Sequence, residues 1–540
     1  MMDHLRRVTS KEIHTHYCGN LIQNELINLM GKQVKNAILD KAKKAKYFSI
    51  ILDCTPDVSR TEQLSLTIRF VDIAREDISV KEHFLTYRPA NDTSGKGLVE
   101  LLYSEMSECG LDMDNCRGQG YDNGANMIGI NKGVQKRVLE KYPRAFFNPC
   151  GCHSLNLVIG DASKSSVKSV FLFGVLQRLF TLFASSTKRW SILKEHVKNM
   201  SLKKVCETRW ECRIESLKAV RYQMAEIHEA LLDMEENIDD PSLSSEAKSL
   251  SLILEDFSFI LTLIIWYDLL FQVNIVSKSM QSGSIDLPLC NNLLQVCIRF
   301  VKDYRSSGYV SAMVTAKEIA SVLGIEPRVK MHKRQRTKKR MFEYEGHDET
   351  PQEDEDCFRA TVFYPLIDNM TTSLERRFRQ LSKHNKTWSF LYNIKMLPEK
   401  EELLKLCNDL EHILNNKTES DNDGFQLSEE LKYIQPTIVK DSVTPLEVLQ
   451  HISQTDTVGL FPNVWVTLRI MLTIPITVAS GERSFSKLKL IKTYLRSTMS
   501  EERLSSLAIL SIENEMVESI DYTAAVQSFA AAKSRKVSFV

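Results

Sequence analysis

Asp53 closes a short apolar run, Tyr47 to Leu52 (YFSIIL), and Asp122 follows a glycine-rich approach, RGQGYDNGAN. Both positions are ends of expected strands, where the reacting groups of open α/β sheets converge. Two carboxylates at neighbouring strand ends offer Mg²⁺ the hard oxygen ligands it prefers. A third acid would complete a set able to hold two ions for in-line displacement at a phosphodiester. Glu482 is the candidate, just inside a helix expected to start after Ser480. Plainer readings stand beside this one. Asp53 and Asp57 are also what a turn would use, and Glu482 is also what a helix N-terminus favours.

The elements that would position these acids follow from periodicity. Residues 1–45 read as helical, with Leu21, Ile22, Leu26, Leu29 and Met30 near helical spacing. Leu64, Leu66, Ile68 and Phe70 alternate with Ser65, Thr67 and Arg69, the period of a strand. A third strand is expected over 78–85, a helix over 97–106 entered through Thr93 and Ser94, then a strand before Asp122, a helix over 132–141, a strand over 145–148 and a helix over 155–161. Three adjacent strands followed by alternating units imply a mixed α/β sheet covered by helices. From about 165 to 450 the texture is helical, and it turns strongly apolar again over 461–477, where Pro475 limits the helix.

Composition bounds the partners. The chain has 540 residues, 43% hydrophobic and 26% charged, which implies two to four domains and excludes a wholly disordered or collagen-like chain. Lys and Arg number 70 and Asp and Glu 69, so nucleic-acid affinity has to come from local sites rather than from a global positive excess. The run 328–340 holds eight Lys/Arg and 342–356 holds eight Asp/Glu, which reads as a solvated loop or as a nuclear-import or nucleic-acid patch. Twelve cysteines without a secretory signal point to reduced thiols in cytosol or nucleus. The most apolar stretch, 257–276, is interrupted by Asp268 and reads as a buried helix, so no membrane is expected.

Five blocks, in order, carry a resemblance. YFSIILDCTPDVSRTEQLSLTIRFV, GQGYDNGANMIG, NPCGCHSLNLVIGDA, ETRWECRIESL and PITVASGERSFSKLKLIKTYLRSTMSEERLSSLAILSIEN together resemble hAT-superfamily transposases, in the branch related to MYM-type and TTF-type zinc-finger proteins. The resemblance implies an RNase H-like catalytic core interrupted by a large all-helical insertion domain. The acids fit that plan, with 69 residues from Asp53 to Asp122 and 360 from Asp122 to Glu482. It implies Asp53, Asp122 and Glu482 as the catalytic and metal-holding acids, with Mg²⁺ or Mn²⁺ where catalysis is retained. It also implies DNA contacts at Cys150, His153, Arg209 and Trp210, Trp stacking on an unpaired base and Arg pairing with phosphate. The plainer alternatives are a core aromatic at Trp210 and packing beneath the site at Cys150 and His153. A structural zinc through Cys150, Cys152, His153 and Cys206 or Cys212 is not expected, because the run is a poor match to zinc spacing.

The same resemblance divides the chain into a helical lead-in (1–45), a first core part (46–164), the helical insertion (165–455, with the charged loop 328–356), the last core part with the C-terminal dimerisation region (456–520) and a tail (521–540). It implies a homodimer, with Val464, Trp465, Val466, Leu468 and Leu472 as candidate interface residues. No paired-cysteine DNA reader is legible before residue 45, and Gly481 stands where similar sequences carry Ala. Two functions follow. One is DNA cleavage and strand transfer by a transposase core. The other is a catalytically silent, domesticated nuclear protein that dimerises and regulates.

Overall fold

The structure, a computed structural model, describes residues 6–7, 10, 12, 19–74, 78–205, 211–281, 287–330, 354–416, 419–438 and 443–531. They form two compact units, Met1–Gly151 with Gln380–Val540, and Cys152–Arg379. Residues 331–353 of the charged run 328–356 lie outside the described residues.

The first unit is built on a five-stranded sheet of order β3-β2-β1-β4-β5. Its strands are β1 (Phe48–Pro56), β2 (Glu62–Asp72), β3 (Ser79–Pro89), β4 (Cys116–Tyr121) and β5 (Phe146–Pro149). The pairs β1–β2 and β2–β3 are antiparallel, while β1–β4 and β4–β5 are parallel, so the sheet is mixed as expected. Helix α1 (Asn20–Ala45) leads in, and its last turn carries Lys43 and Lys44, which suit the negative helix end. Helix α2 (Gly95–Glu108) is capped by Ser94, whose side chain accepts from Gly97 N.

Each face of the sheet has its own core. Phe48, Ile50, Leu52, Leu66, Ile68 and Phe70 pack with α1 and with α10 (Glu501–Ile512). A second core gathers Tyr47, Val71 and Ile78 with four helices, α5 (Lys400–Leu414), α6 (Gly424–Thr437), α7 (Pro445–Gln454) and α8 (Pro462–Thr473). Thus the compact unit takes in residues from 380 onward, because the apolar stripes of α5–α7 close on α8 and the sheet. The alternation in β2 does not leave its polar face in water. Arg69 donates to Leu472 O and pairs with Glu82, and Ser65 Oγ meets Ser484 Oγ at 2.8 Å. At the start of β4, Arg117 grips Asp421 through two bonds of 2.7 and 2.6 Å, and Arg144 adds a third at 3.2 Å.

The second unit is helical. Two of its helices, α3 (Val167–Ala184) and α4 (Phe257–Gln281), are long and apolar enough to cross a membrane by length and composition. Helix α4 is nonetheless packed inside the protein, with Ile260, Leu261, Leu263, Ile264 and Trp266 buried. Its charge at Asp268 is answered by Arg221 at 3.0 Å and by the Tyr304 hydroxyl at 2.9 Å, as a partly buried carboxylate requires.

Candidate active site

The register of β1 and β4 sets two of the acids side by side. Ile51 lies opposite Gly120 in a parallel pair, so Asp53 and Asp122 leave the sheet at the same, C-terminal, end. Gly118 and Gly120 are required by what crosses them. A Cβ on Gly118 would stand 2.3 Å from Ser49 Oγ and 2.8 Å from Pro475 Cδ, and one on Gly120 would stand 3.0 Å from Pro475 Cγ. The glycine-rich approach therefore lets a later segment of the chain lie flat on the sheet.

That segment delivers the third acid. Gly151 N donates to Ile476 O at 3.0 Å, Asn148 Nδ2 to Pro475 O at 3.3 Å, and Val478 N to Cys150 Sγ at 3.5 Å. Helix α9 (Ala479–Ile491) then starts over the strand ends, with Glu482 exposed in its first turn. Gly481 lies directly against Asp53, since a Cβ there would be 2.9 Å from Asp53 Cβ. The helix is pinned further along, where Tyr87 OH donates to Ser484 O at 2.6 Å.

The electrostatics single out Asp53. Burial first, then Asp122, Glu482 and Cys150, push its carboxyl up to about 8, opposed by the N–H of Cys54 at 3.0 Å. A carboxylate among carboxylates in low dielectric holds its proton. Asp122 Oδ1 accepts from Gly124 N at 3.1 Å. Asp57 has a different role and turns the β1–β2 hairpin, accepting from Ser59 N and Thr61 N at 2.7 and 3.1 Å. Among the described residues, no group of three or more His, Cys, Asp or Glu is poised to hold a metal ion. Asp122 and Glu482 nonetheless share one electrostatic neighbourhood with Asp53.

The other sequence candidates divide. Cys150 is buried and its backbone N–H caps Tyr121 O at 3.0 Å, so it packs beneath the strand ends. His153 is half-buried on the helix Gly151–Ser163. Arg209, Trp210 and Cys206 lie outside the described residues. The interface candidates are occupied within the chain. Val464, Trp465 and Leu468 are buried in the core with α5–α7, and Val466 and Leu472 pack on it. The apolar stripe that suggested a partner is covered by the chain's own helices. Sequence reasoning missed the surface patch of Phe425, Tyr433 and Leu460, exposed by 61%, 70% and 70%, which borders a cavity of about 440 Å³. Its signal was the spacing of Phe425, Glu429 and Tyr433 along α6, on the side away from Leu427 and Leu431.

Comparison with known proteins gives two family matches and named relatives. Residues 5–133, which contain Asp53 and Asp122, match the ZMYM1/FAM200 RNase-like domain. Residues 429–516, which contain Glu482, match the hAT family C-terminal dimerisation region. The chain is 23% identical over 538 residues to the human 52 kDa repressor of the inhibitor of the protein kinase, covering 96% of this chain and 68% of that protein. The mouse protein of the same name is 22% identical over 537 residues, with the same coverage. The resemblance to hAT-type proteins thus rests on both ends of the sheet-bearing unit.

Proposed function

We propose that this chain is a transposon-derived protein with an RNase H-like core, interrupted by its helical unit, and that its three acids support metal-dependent cleavage and strand transfer of DNA. The observation that carries this reading is the meeting of Asp53 and Asp122 through strand register with Glu482 from 360 residues away. Asp53, Asp122 and Glu482 would hold Mg²⁺ or Mn²⁺, which supplies Lewis-acid stabilisation of charge developing on phosphate. Asp53 is the buried, fixed member of the set, and Glu482 is its solvent-facing member. Gly124 N orients Asp122 through its carboxylate oxygen. The test is plasmid nicking by the purified full chain with Mn²⁺ or Mg²⁺. Asp122→Asn should abolish it, and equal nicking by that variant would assign the activity to a contaminant.

A second reading is a nuclear, dimerising regulator without catalysis. It is favoured by the name of the two relatives, a repressor, and by the dimerisation-region match. Under either reading the chain self-associates. We place the contact at Phe425, Tyr433 and Leu460, since the stripe on α8 is already covered. This patch flanks the start of the matched region. Tyr433→Asp should convert a dimer to a monomer in solution-mass measurements at unchanged thermal midpoint, and an unaltered dimer would remove this surface from consideration.

A further inference from the structure

Beyond Glu482 the chain changes character. From Arg483 to Ser500 it carries Arg483, Lys487, Lys489, Lys492 and Arg496 and no Asp or Glu. Lys492 is spent on structure. Its ammonium meets Asp57 Oδ2 at 2.5 Å, and both side chains are buried. The turn that follows, Tyr494–Arg496, is tied down as well, since Ser59 Oγ donates to Ser497 O at 2.9 Å. The β1–β2 hairpin and the end of α9 therefore form one anchored tip. On this anchored base, Tyr494 and Leu495 stand 87% and 92% exposed. Lys489 and Arg496 are exposed on the same segment, and Arg60 is exposed on the hairpin beside it. None of these three cations pairs with a carboxylate among the described residues.

We propose that this tip is a binding site for unpaired, single-stranded nucleic acid leading to the acid cluster. The cations would take the phosphates, and Tyr494 would take the face of an unstacked base. Cations that track a backbone, interleaved with an aromatic platform, are the chemistry of single-strand binding. An anionic polymer approaching three carboxylates needs such compensation close by. A duplex would use the cations alone, because its base faces are stacked away. The continuity of α9 matters here, because Lys489 lies two turns along the helix from Glu482. The proposal deepens the nucleic-acid reading of the acids and rests on it, but it concerns binding and can be tested without turnover.

The test is fluorescence anisotropy with a labelled mixed-sequence single strand of about 20 nucleotides and the matching duplex, on the full chain in EDTA. Wild type should prefer the single strand. Tyr494→Ala should lose about tenfold or more in single-strand affinity, the size expected for one stacked base, with duplex affinity unchanged. K489A/R496A should weaken both ligands and make binding less dependent on salt, as fewer phosphates are neutralised. All three side chains are exposed, so thermal midpoints should match wild type. Asp122→Asn should bind the strand at least as tightly as wild type, since it removes one carboxylate facing the phosphates, even where nicking is lost. Binding that depends on Tyr494 in a chain that never cleaves would sink the catalytic reading and leave this one standing. Unchanged single-strand affinity in Tyr494→Ala, in a chain that does cleave, would overturn this one alone. A fall in oligomer mass with unchanged oligonucleotide affinity would assign the tip to a protein partner and overturn it too.

Discussion

The two ends of the sheet bury charge in opposite ways. At the start of β4, Arg117 and Asp421 are almost fully buried, joined by two short bonds, and Arg144 shares the same carboxylate. Arg117 also donates to Asp114 O and lies 4.9 Å from the Tyr47 ring centroid. These three charges have their answers inside the chain. At the other end, Asp53 is buried and its strongest electrostatic neighbours are two further acids and a thiol. The first arrangement fastens the 419–423 segment to the sheet. The second costs stability wherever Asp53 is ionised, because burial and two neighbouring acids oppose its charge.

The largest effect should come from breaking the compensated end. Asp421→Ala leaves two guanidinium groups without their carboxylate, one of them deeply buried. Removing one partner of a buried pair costs about 3–5 kcal/mol. For a unit of this size that corresponds to a fall in thermal midpoint on the order of 10 °C. A melt indistinguishable from wild type would show that solvent reaches Arg117 and that the two ends are not different in kind.

The uncompensated end should respond in the opposite direction. The Asp53 carboxyl is raised to about 8 in the folded chain, against an ordinary value near 4. Between those values the unfolded chain has released a proton that the folded chain keeps. Stability from this group therefore falls as pH rises from about 4 to about 8, and the full penalty is present above that range. Asp53→Asn in EDTA should flatten that slope and raise stability at pH 8 by a few kcal/mol, in proportion to the shift. Mg²⁺ should stabilise wild type, by about 2.7 kcal/mol at a hundred times its dissociation constant, and should leave Asp53→Asn nearly unmoved. Denaturant titrations at pH 5, 7 and 8.5, with and without Mg²⁺, separate these outcomes. Equal slopes for both proteins would mean that Asp53 is solvated like an ordinary carboxylate.

The same contrast explains what the sequence made legible. Strand alternation and turn residues located the sheet, and strand-end logic located Asp53 and Asp122. Glu482 was a candidate only as an acid just inside an expected helix, because nothing local says that a helix 360 residues later returns to the same strand ends. The family resemblance is what implied that it joins the other two. The stripe at Val464, Trp465 and Leu468 was read as a dimer interface, and in the folded chain it packs in the core with α5–α7, since an apolar stripe does not say which chain covers it. Likewise the alternation of Ser65, Thr67 and Arg69 did not say what covers them, and the structure buries them under α8 and α9 with their polar atoms partly answered by Ser484 and Leu472. The Arg117–Asp421 pair spans 304 positions and carried no local signal at all.

The smallest effect should be at the one contact where helix and acid meet directly. Gly481→Ala adds a methyl group 2.9 Å from Asp53 Cβ, closer than such atoms pack. Asp53 sits on a central strand paired on both sides and cannot retreat, so the start of α9 has to move by a few tenths of an ångström. Helix propensity favours Ala by about 1 kcal/mol, which offsets much of the displacement. Net stability should change by no more than about 1 kcal/mol, while cleavage falls several-fold because Glu482 rides on the displaced turn. Similar sequences that carry Ala at this position would then hold their first helical turn slightly further from the strand. If Gly481→Ala instead gains the full propensity term and cleaves like wild type, the acid end has slack that the compensated end lacks. The contrast between the two would then be one of packing tightness as well as of charge.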